Sequence, residues 1–177
     1  MTKENLIKKL IELEGDYVDD PRDSGGATKY GITEAVARKH GFQGNMKYLS
    51  YETAYDIYEK DYWNAFKGDE LVKLDSELIE MLLETSALCG VYRTSVWLQR
   101  CLNVLNNQGK YYPDIKVDGK VGDMTFMVLK KHLSQRKSSV VLRRMLNNLA
   151  GYHYFNLAET RMKDEAFIYG WFLNRVK

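Results

Sequence analysis

Two glutamates close the first helical stretch of the chain, and their positions differ in chemistry. At about 100° per residue, Glu12 falls beside Lys8 and Lys9 on a polar face, where it is an i,i+4 partner of Lys8. Glu14 lies instead on the stripe of Ile7, Leu10 and Ile11. A carboxylate at the last turn of an apolar stripe is costly to bury in its charged form. Desolvation and the negative end of the helix dipole both act to raise its pKa. A carboxyl of that kind at the mouth of a cleft can protonate the leaving oxygen of a glycoside near neutral pH. Periodicity alone leaves a second reading open, a glutamate reaching solvent from a frayed helix end. Behind Glu14 comes a stretch rich in Gly and Asp, from Asp16 to Gly31, where Gly25, Gly26 and Gly31 allow positive φ or close approach of the backbone to a sugar.

Helices must position these residues. Leu6, Ile7, Leu10, Ile11 and Leu13 recur at helical spacing, with Thr2 as N-cap and Gly15 as stop. Residues 16–31 read as loop or short strand. Thr33 can cap a helix through Ala35, Val36 and Ala37 that ends at Gly41. Ser50 opens another, without the Glu of a full capping box, that runs to Trp63. Leu71–Leu88 reads as a buried helix broken near Lys73-Leu74-Asp75, and Ser95–Leu105 as an amphipathic one. Asn106–Gly122 is a polar connector; Thr125–Leu133, Val140–Ala150 and Tyr152–Phe167 are further helical segments. Alternation of period two is nearly absent, so any sheet is small.

The chain has 177 residues, 45% of them apolar and 28% charged, enough for a packed core without staples. A net charge of +2 and scattered basic residues speak against nucleic acid as a partner. Cys89 and Cys101 stand in apolar stretches and read as small core residues, too few for a disulfide framework or zinc site. His40, His132 and His153 lack ligand spacing, and no phosphate loop is present. Asp114–Thr125 faintly resembles a calcium loop but has Lys116 and Thr125 at ligand positions, so a turn is expected; neither metal nor cofactor is called for. Met1–Lys9 carries no apolar h-region and no run reaches membrane-span length. We therefore expect synthesis in the cytoplasm without a signal peptide and no stable membrane insertion. Among the 13 tyrosines and three tryptophans, Trp97 reads as core; Trp63 and Trp171 end helices, where groove and packing roles are both open.

The string from Glu14 to Thr33 resembles the signature of glycoside hydrolase family 108, the N-acetylmuramidases of phage endolysins and bacterial secretion systems. The matching positions are Glu14-Gly15 with Tyr17, then Asp20-Pro21, Asp23, Gly25-Gly26, Thr28 and Gly31-Ile32-Thr33. Ile57–Trp63 is similar to the family's Tyr-Trp helix. Leu98–Asn103 followed by Val117–Gly122 resembles its peptidoglycan-binding module, and Tyr169–Val176 its closing motif. The resemblance implies Glu14 as the essential acid, with Asp23 and Thr28 at the acidic and hydroxyl positions that follow it. Asp23 would orient water or stabilise positive charge on the sugar ring, and Thr28 would hold that water. For Asp23 an Asx-turn with Ser24-Gly25 is an equally good reading. Asp16, Tyr17, Tyr30, Trp63, Glu84 and Leu88 are the candidate substrate-binding positions.

Departures from the pattern stand at Asp16, where the family has Gly, and at Glu84 and Leu88, where it has Asp and Asn. These positions are expected to tune which peptidoglycan is cut. Gly122-Asp123 replaces a Gly-Pro, which weakens the expectation of tight glycan binding by the second lobe. The expected fold is mainly α and lysozyme-like, with a small loop or short-strand segment. Residues 1–92 form the catalytic region, and 93–177 a peptidoglycan-binding-like helical lobe whose C-terminal helices pack back on the first. The expected function is cleavage of the β-1,4 bond between N-acetylmuramic acid and N-acetylglucosamine, in phage lysis or in export of a protein toxin. A non-catalytic peptidoglycan-binding protein is the alternative. The partner is the glycan strand in the periplasm or cell wall, reached by way of a holin or another export route.

Overall fold

A computed structural model of the chain describes residues 1–19 and 26–176. Two compact units divide it, Met1–Val72 and Lys73–Lys177.

The first unit begins with α1 (Lys3–Glu14), whose Thr2 hydroxyl accepts from the Asn5 backbone N–H at 3.3 Å. Leu6, Ile7, Leu10 and Ile11 are buried, whereas Leu13, at the last turn, is 46% exposed. Gly15 ends the helix at φ +82°, a conformation open to glycine at little cost. Val18 and Thr28 then exchange both backbone hydrogen bonds at 2.8 Å. Strands β1 (Thr28–Lys29) and β2 (Ile32–Thr33) pair antiparallel, Thr28 opposite Thr33 and Lys29 opposite Ile32. Ile32 points inward and is fully buried, while the Thr33 hydroxyl caps α2 (Glu34–Lys39) by accepting from Val36 N–H. Ser50 caps α3 (Tyr51–Tyr58) in the same manner, at 3.1 Å from Thr53 N. This helix continues as a π-wound turn over Glu59–Trp63 and stops at Lys67, which is left-handed at φ +51°. A π turn inserts an extra residue and rotates everything after it. Short α4 (Gly68–Leu74) follows.

Asp75 separates α4 from α5 (Ser76–Cys89): its carboxylate caps α5 by accepting from Leu78 N–H at 2.9 Å. The expected break near Lys73-Leu74-Asp75 thus has its cause in a helix cap. The second unit continues with α6 (Val91–Val104), α7 (Asp123–Arg136), α8 (Val140–Thr160) and α9 (Glu165–Asn174). Helix α8 packs on α5 and α6, and α9 packs on α8. The expectation of two segments divided near Gly151 is corrected by a continuous α8. Val176 and Phe172 lie at ordinary contact distance, 3.5 and 3.7 Å, from the place a Gly151 side chain would take, so this glycine sits in a packed stretch of an unbroken helix.

Between α6 and α7 the polar connector is pinned by amide side chains. Gln99 Nε2 donates to the Asp118 carboxylate at 2.9 Å and to the Lys120 carbonyl at 3.0 Å. Its Oε1 accepts from Asp118 and Gly119 N–H at 3.0 and 2.8 Å. Asn103 exchanges two hydrogen bonds with the Ile115 backbone, and Asn106 donates to Asp114. The Asp118-Gly119 turn is therefore built around a buried glutamine. Cys89 and Cys101 are free and buried; burial pushes the Cys101 thiol up to about 11.

His132 is buried, with Nδ1 3.0 Å from the Tyr112 hydroxyl. The Tyr112 hydroxyl donates its proton to the Leu102 carbonyl, so His132 Nδ1–H is the donor to Tyr112. Burial, and then the Arg136 charge, hold the His132 pKa below its ordinary value. Below about pH 6.5 the unfolded chain takes up a proton that the folded chain resists, so the stability present at neutral pH is lost as pH falls through the folded pKa. We expect the melting temperature to drop between pH 7.5 and 5, and His132→Asn, which keeps a donor near Nδ1, to flatten that slope. Equal slopes in thermal melts of the two proteins would reject this.

Candidate active site

Glu14 is the last residue of α1, and three features fix its side chain. The first is the hairpin turn between β1 and β2. Tyr30 and Gly31 both have positive φ, +54° and +72°, the signature of a tight turn matched to strand twist. A Cβ on Gly31 would lie 2.8 Å from both Cβ and Cγ of Glu14 and 2.6 Å from the Tyr58 hydroxyl. The turn backbone is thus laid against the Glu14 side chain, with no space for any other residue. The second is Tyr58, buried on α3, whose hydroxyl donates to the Tyr30 carbonyl at 2.9 Å and holds the turn down. The third is Tyr62, one turn later, its ring centroid 5.0 Å from that of Tyr58. Burial raises the Tyr62 phenol pKa, with smaller contributions from the charges of Asp61 and Glu14. Glu14 itself is half-buried, and its Oε1 has no solvent-exposed surface.

Asp16, Tyr17, Thr28 and Tyr30 belong to the same unit as Glu14. Thr28 is half-buried in β1 and its hydroxyl donates to the Gly26 carbonyl at 3.2 Å, which leaves its oxygen lone pairs as acceptors. Asp16 is exposed and accepts from Tyr17 N–H at 2.8 Å. The Tyr17 hydroxyl donates to Asp19 at 3.0 Å, and Lys47 stands 5.3 Å over the Tyr17 ring. Lys29 stands 5.1 Å over the Tyr30 ring and donates to the Lys47 carbonyl. Tyr17 also lines a polar cleft of about 290 Å³ with Asp19, Glu34, Arg38 and Asn45. Arg38 is fixed there by the Phe42 and Gly44 carbonyls at 2.8 Å and by Glu34 at 2.5 Å. Asp23 lies outside the described residues. Glu84 and Leu88 belong to α5 in the second unit, where Glu84 lines a separate cleft.

The substrate-binding expectation for Trp63 is corrected. Its side chain is fully buried, the indole N–H donates to Asp69 at 3.0 Å, and a Cβ on Gly68 would run into the ring. A side chain with no exposed surface cannot stack on a sugar; the π-wound turn has rotated it into the core. Trp63→Phe is expected to lower stability by about 1–3 kcal/mol through the lost hydrogen bond and volume, with activity per folded molecule unchanged. Denaturant midpoints alongside hydrolysis rates check this. Tyr58 and Tyr62 were not singled out by sequence reasoning as parts of the site, and Gly31 was singled out for the approach of a sugar and not of Glu14. The signal available for the two tyrosines was their i,i+4 spacing, which puts both rings on one helix face.

Residues 7–90 match the family model described as glycosyl hydrolase 108. Residues 93–176 match a predicted peptidoglycan domain. The two matches lie in tandem, so the chain is similar to a glycosyl hydrolase 108 domain in its first half and to a peptidoglycan domain in its second. Glu14, Gly31, Tyr58 and Tyr62 all fall within the glycosyl hydrolase 108 match. Among solved structures the chain is similar to Brucella abortus SagA, with 25% identity, a TM-score of 0.66, and coverage of 96% of this chain and 86% of that one. The mainly α, lysozyme-like fold class holds with that likeness. No curated protein matches the chain. The two domains together support peptidoglycan hydrolysis by a glycoside hydrolase.

Proposed function

We propose that the protein is an N-acetylmuramidase that cuts the β-1,4 bond between N-acetylmuramic acid and N-acetylglucosamine, with Glu14 as the acid. The observation that carries this reading is the fixing of a half-buried carboxyl at a helix end by Gly31 and the Tyr58–Tyr30 hydrogen bond, inside the glycosyl hydrolase 108 match. In the proposed reaction the Glu14 carboxyl gives its proton to the glycosidic oxygen as the C1–O bond breaks. The sugar ring develops oxocarbenium character, and water completes the hydrolysis at C1. Thr28 offers acceptor lone pairs to that water, and Asp23 is proposed as its carboxylate partner or as the counter-charge to the ring. Tyr17, Tyr30 and the adjoining polar cleft are proposed to seat the glycan, with Asp16 tuning the choice of wall. We further propose that the chain is made in the cytoplasm and reaches the wall through a holin or another export route, in lysis or in protein secretion.

Digestion of purified sacculi, followed by borohydride reduction of the released fragments, tests the bond. New reducing ends recovered as muramitol are the expected result. Glucosaminitol ends would move the cut to the other glycosidic bond. Binding of sacculi with no release of fragments would favour a non-catalytic wall-binding protein.

A further inference from the structure

Helix α9 carries apolar or aromatic residues on every side, yet it buries none of them. Only Glu165 and Asn174, at its two ends, depart from that composition. A helix that is apolar all round is ordinarily enclosed. One side does rest on α8: the Trp171 ring centroid lies 5.3 Å from that of Tyr154, and Phe172 and Val176 lie against Gly151. The other side is open. Ala166, Tyr169, Gly170 and Leu173 stand at i, i+3, i+4 and i+7 and form one stripe, with Tyr169 79% and Leu173 69% exposed. At its margin Phe172 carries the surface on toward Phe155, one turn after Gly151 on α8, and toward Tyr152, three residues before Phe155. All three are exposed. None of these residues carries a charge.

Area and chemistry together name the occupant of this face. An aromatic side chain offers about 150–250 Å², so the exposed parts of Tyr152, Phe155, Tyr169, Phe172 and Leu173 come to roughly 600 Å². That is the upper end of the largest apolar patch on a monomer, about 300–600 Å². Doubled across a two-fold axis it gives about 1,200 Å², the threshold of a specific protein–protein interface before flanking atoms are added. A face without charge meets its own copy with no like-charge repulsion and no buried ion to desolvate. Gly170 stands in the middle of the stripe, where a Cβ would meet nothing within 4 Å in one copy, so two copies of α9 can cross there at close range. The exposed acids Glu159 and Glu165 stand one turn from Phe155 and from Tyr169. They disfavour an anionic bilayer, whose binding calls for Lys or Arg on that flank. We propose that the protein forms a symmetric homodimer through the outer face of α9, with Phe155 and Tyr152 of α8 at its rim. The inference stands on this surface alone and is independent of the bond that the first unit cuts.

Sedimentation equilibrium of the full chain, from low to high micromolar concentration, tests this. Wild type is expected to approach twice the 20.6 kDa of one chain as concentration rises. Tyr169→Glu and Leu173→Glu place like charges on both sides of the axis. Each is expected to raise the dimer dissociation constant at least about tenfold, because juxtaposed like charges oppose association, with unchanged far-ultraviolet circular dichroism. Gly170→Gln puts a side chain into the crossing and is a better helix former than glycine, so a weakened dimer in this variant does not come from a lost fold. Phosphatidylglycerol vesicles and chitotetraose are offered to the same samples in two further arms. A wild-type chain that keeps the mass of one copy at high micromolar concentration overturns the proposal. So does a dimer whose dissociation constant is the same in all three variants, since it would use another surface. A monomer that binds vesicles or chitotetraose, and loses that binding in Leu173→Glu, assigns the face to a membrane or to a glycan and overturns the homodimer as well.

Discussion

Glu14→Gln is expected to reduce the release of fragments from sacculi by at least about a hundredfold, the scale of losing a general acid, with the fold intact. The substitution keeps the shape that Gly31 and Tyr58 surround and removes only the transferable proton. At about 1.36 kcal/mol per tenfold, the loss corresponds to roughly 2.7 kcal/mol of transition-state stabilisation. The internal control is Glu12→Gln, two residues earlier. Its carboxylate sits 3.8 Å from Lys8 with both side chains more than 60% exposed, a pair worth about 0.2–0.5 kcal/mol at most, so rate and melting temperature are expected to stay near wild type. Wild-type rates in Glu14→Gln would remove this residue from the chemistry. An equal loss in both variants would mean that charge near the helix end matters and the particular carboxyl does not.

The contrast between Glu12 and Glu14 was legible in the sequence because helical periodicity sorts residues by face, and the structure keeps both on the faces assigned. The caps at Thr2, Thr33 and Ser50 were legible for a similar reason: a hydroxyl just before an apolar-periodic run has one local use. What surrounds Glu14 was not. The hydrogen bond from Tyr58 to the Tyr30 carbonyl joins residues 28 apart in the chain, and no local pattern announces it. Gly31 was read as a place for a sugar to approach, yet the group that approaches it is Glu14 itself. Trp63 was left with groove and packing roles both open because it ends a helical stretch, and the change to π winding over Glu59–Trp63, where it is buried, has no local signal in the sequence. The division expected at Gly151 is absent because α8 packs on α5, α6 and α9, against which the cost of one mid-helix glycine, about 1 kcal/mol, is small.

Gly31→Ala therefore carries the sharpest structural prediction, because two costs coincide at one atom. The left-handed φ of +72° strains an L side chain by about 1 kcal/mol or more. The new methyl would also stand 2.6–2.8 Å from the Tyr58 hydroxyl and the Glu14 side chain, and neither can retreat freely: Tyr58 is buried and bonded to the turn, and Glu14 is anchored in α1. Overpacking of this kind adds about 1–3 kcal/mol, so a total destabilisation of about 2–4 kcal/mol is expected. Relief of the clash must push Glu14 or the hairpin aside, and a displacement near 1 Å in a catalytic group costs about a hundredfold in rate. Gly26→Ala separates the two costs. Gly26 has nearly the same φ, +71°, and open space where its Cβ would be, so this variant carries the backbone strain alone and is expected to lose about 1 kcal/mol. Denaturant unfolding and sacculus hydrolysis on the pair give the answer. If Gly31→Ala is no less stable and no less active than Gly26→Ala, the hairpin turn does not press on Glu14, and the account of how this carboxyl is held would have to be abandoned.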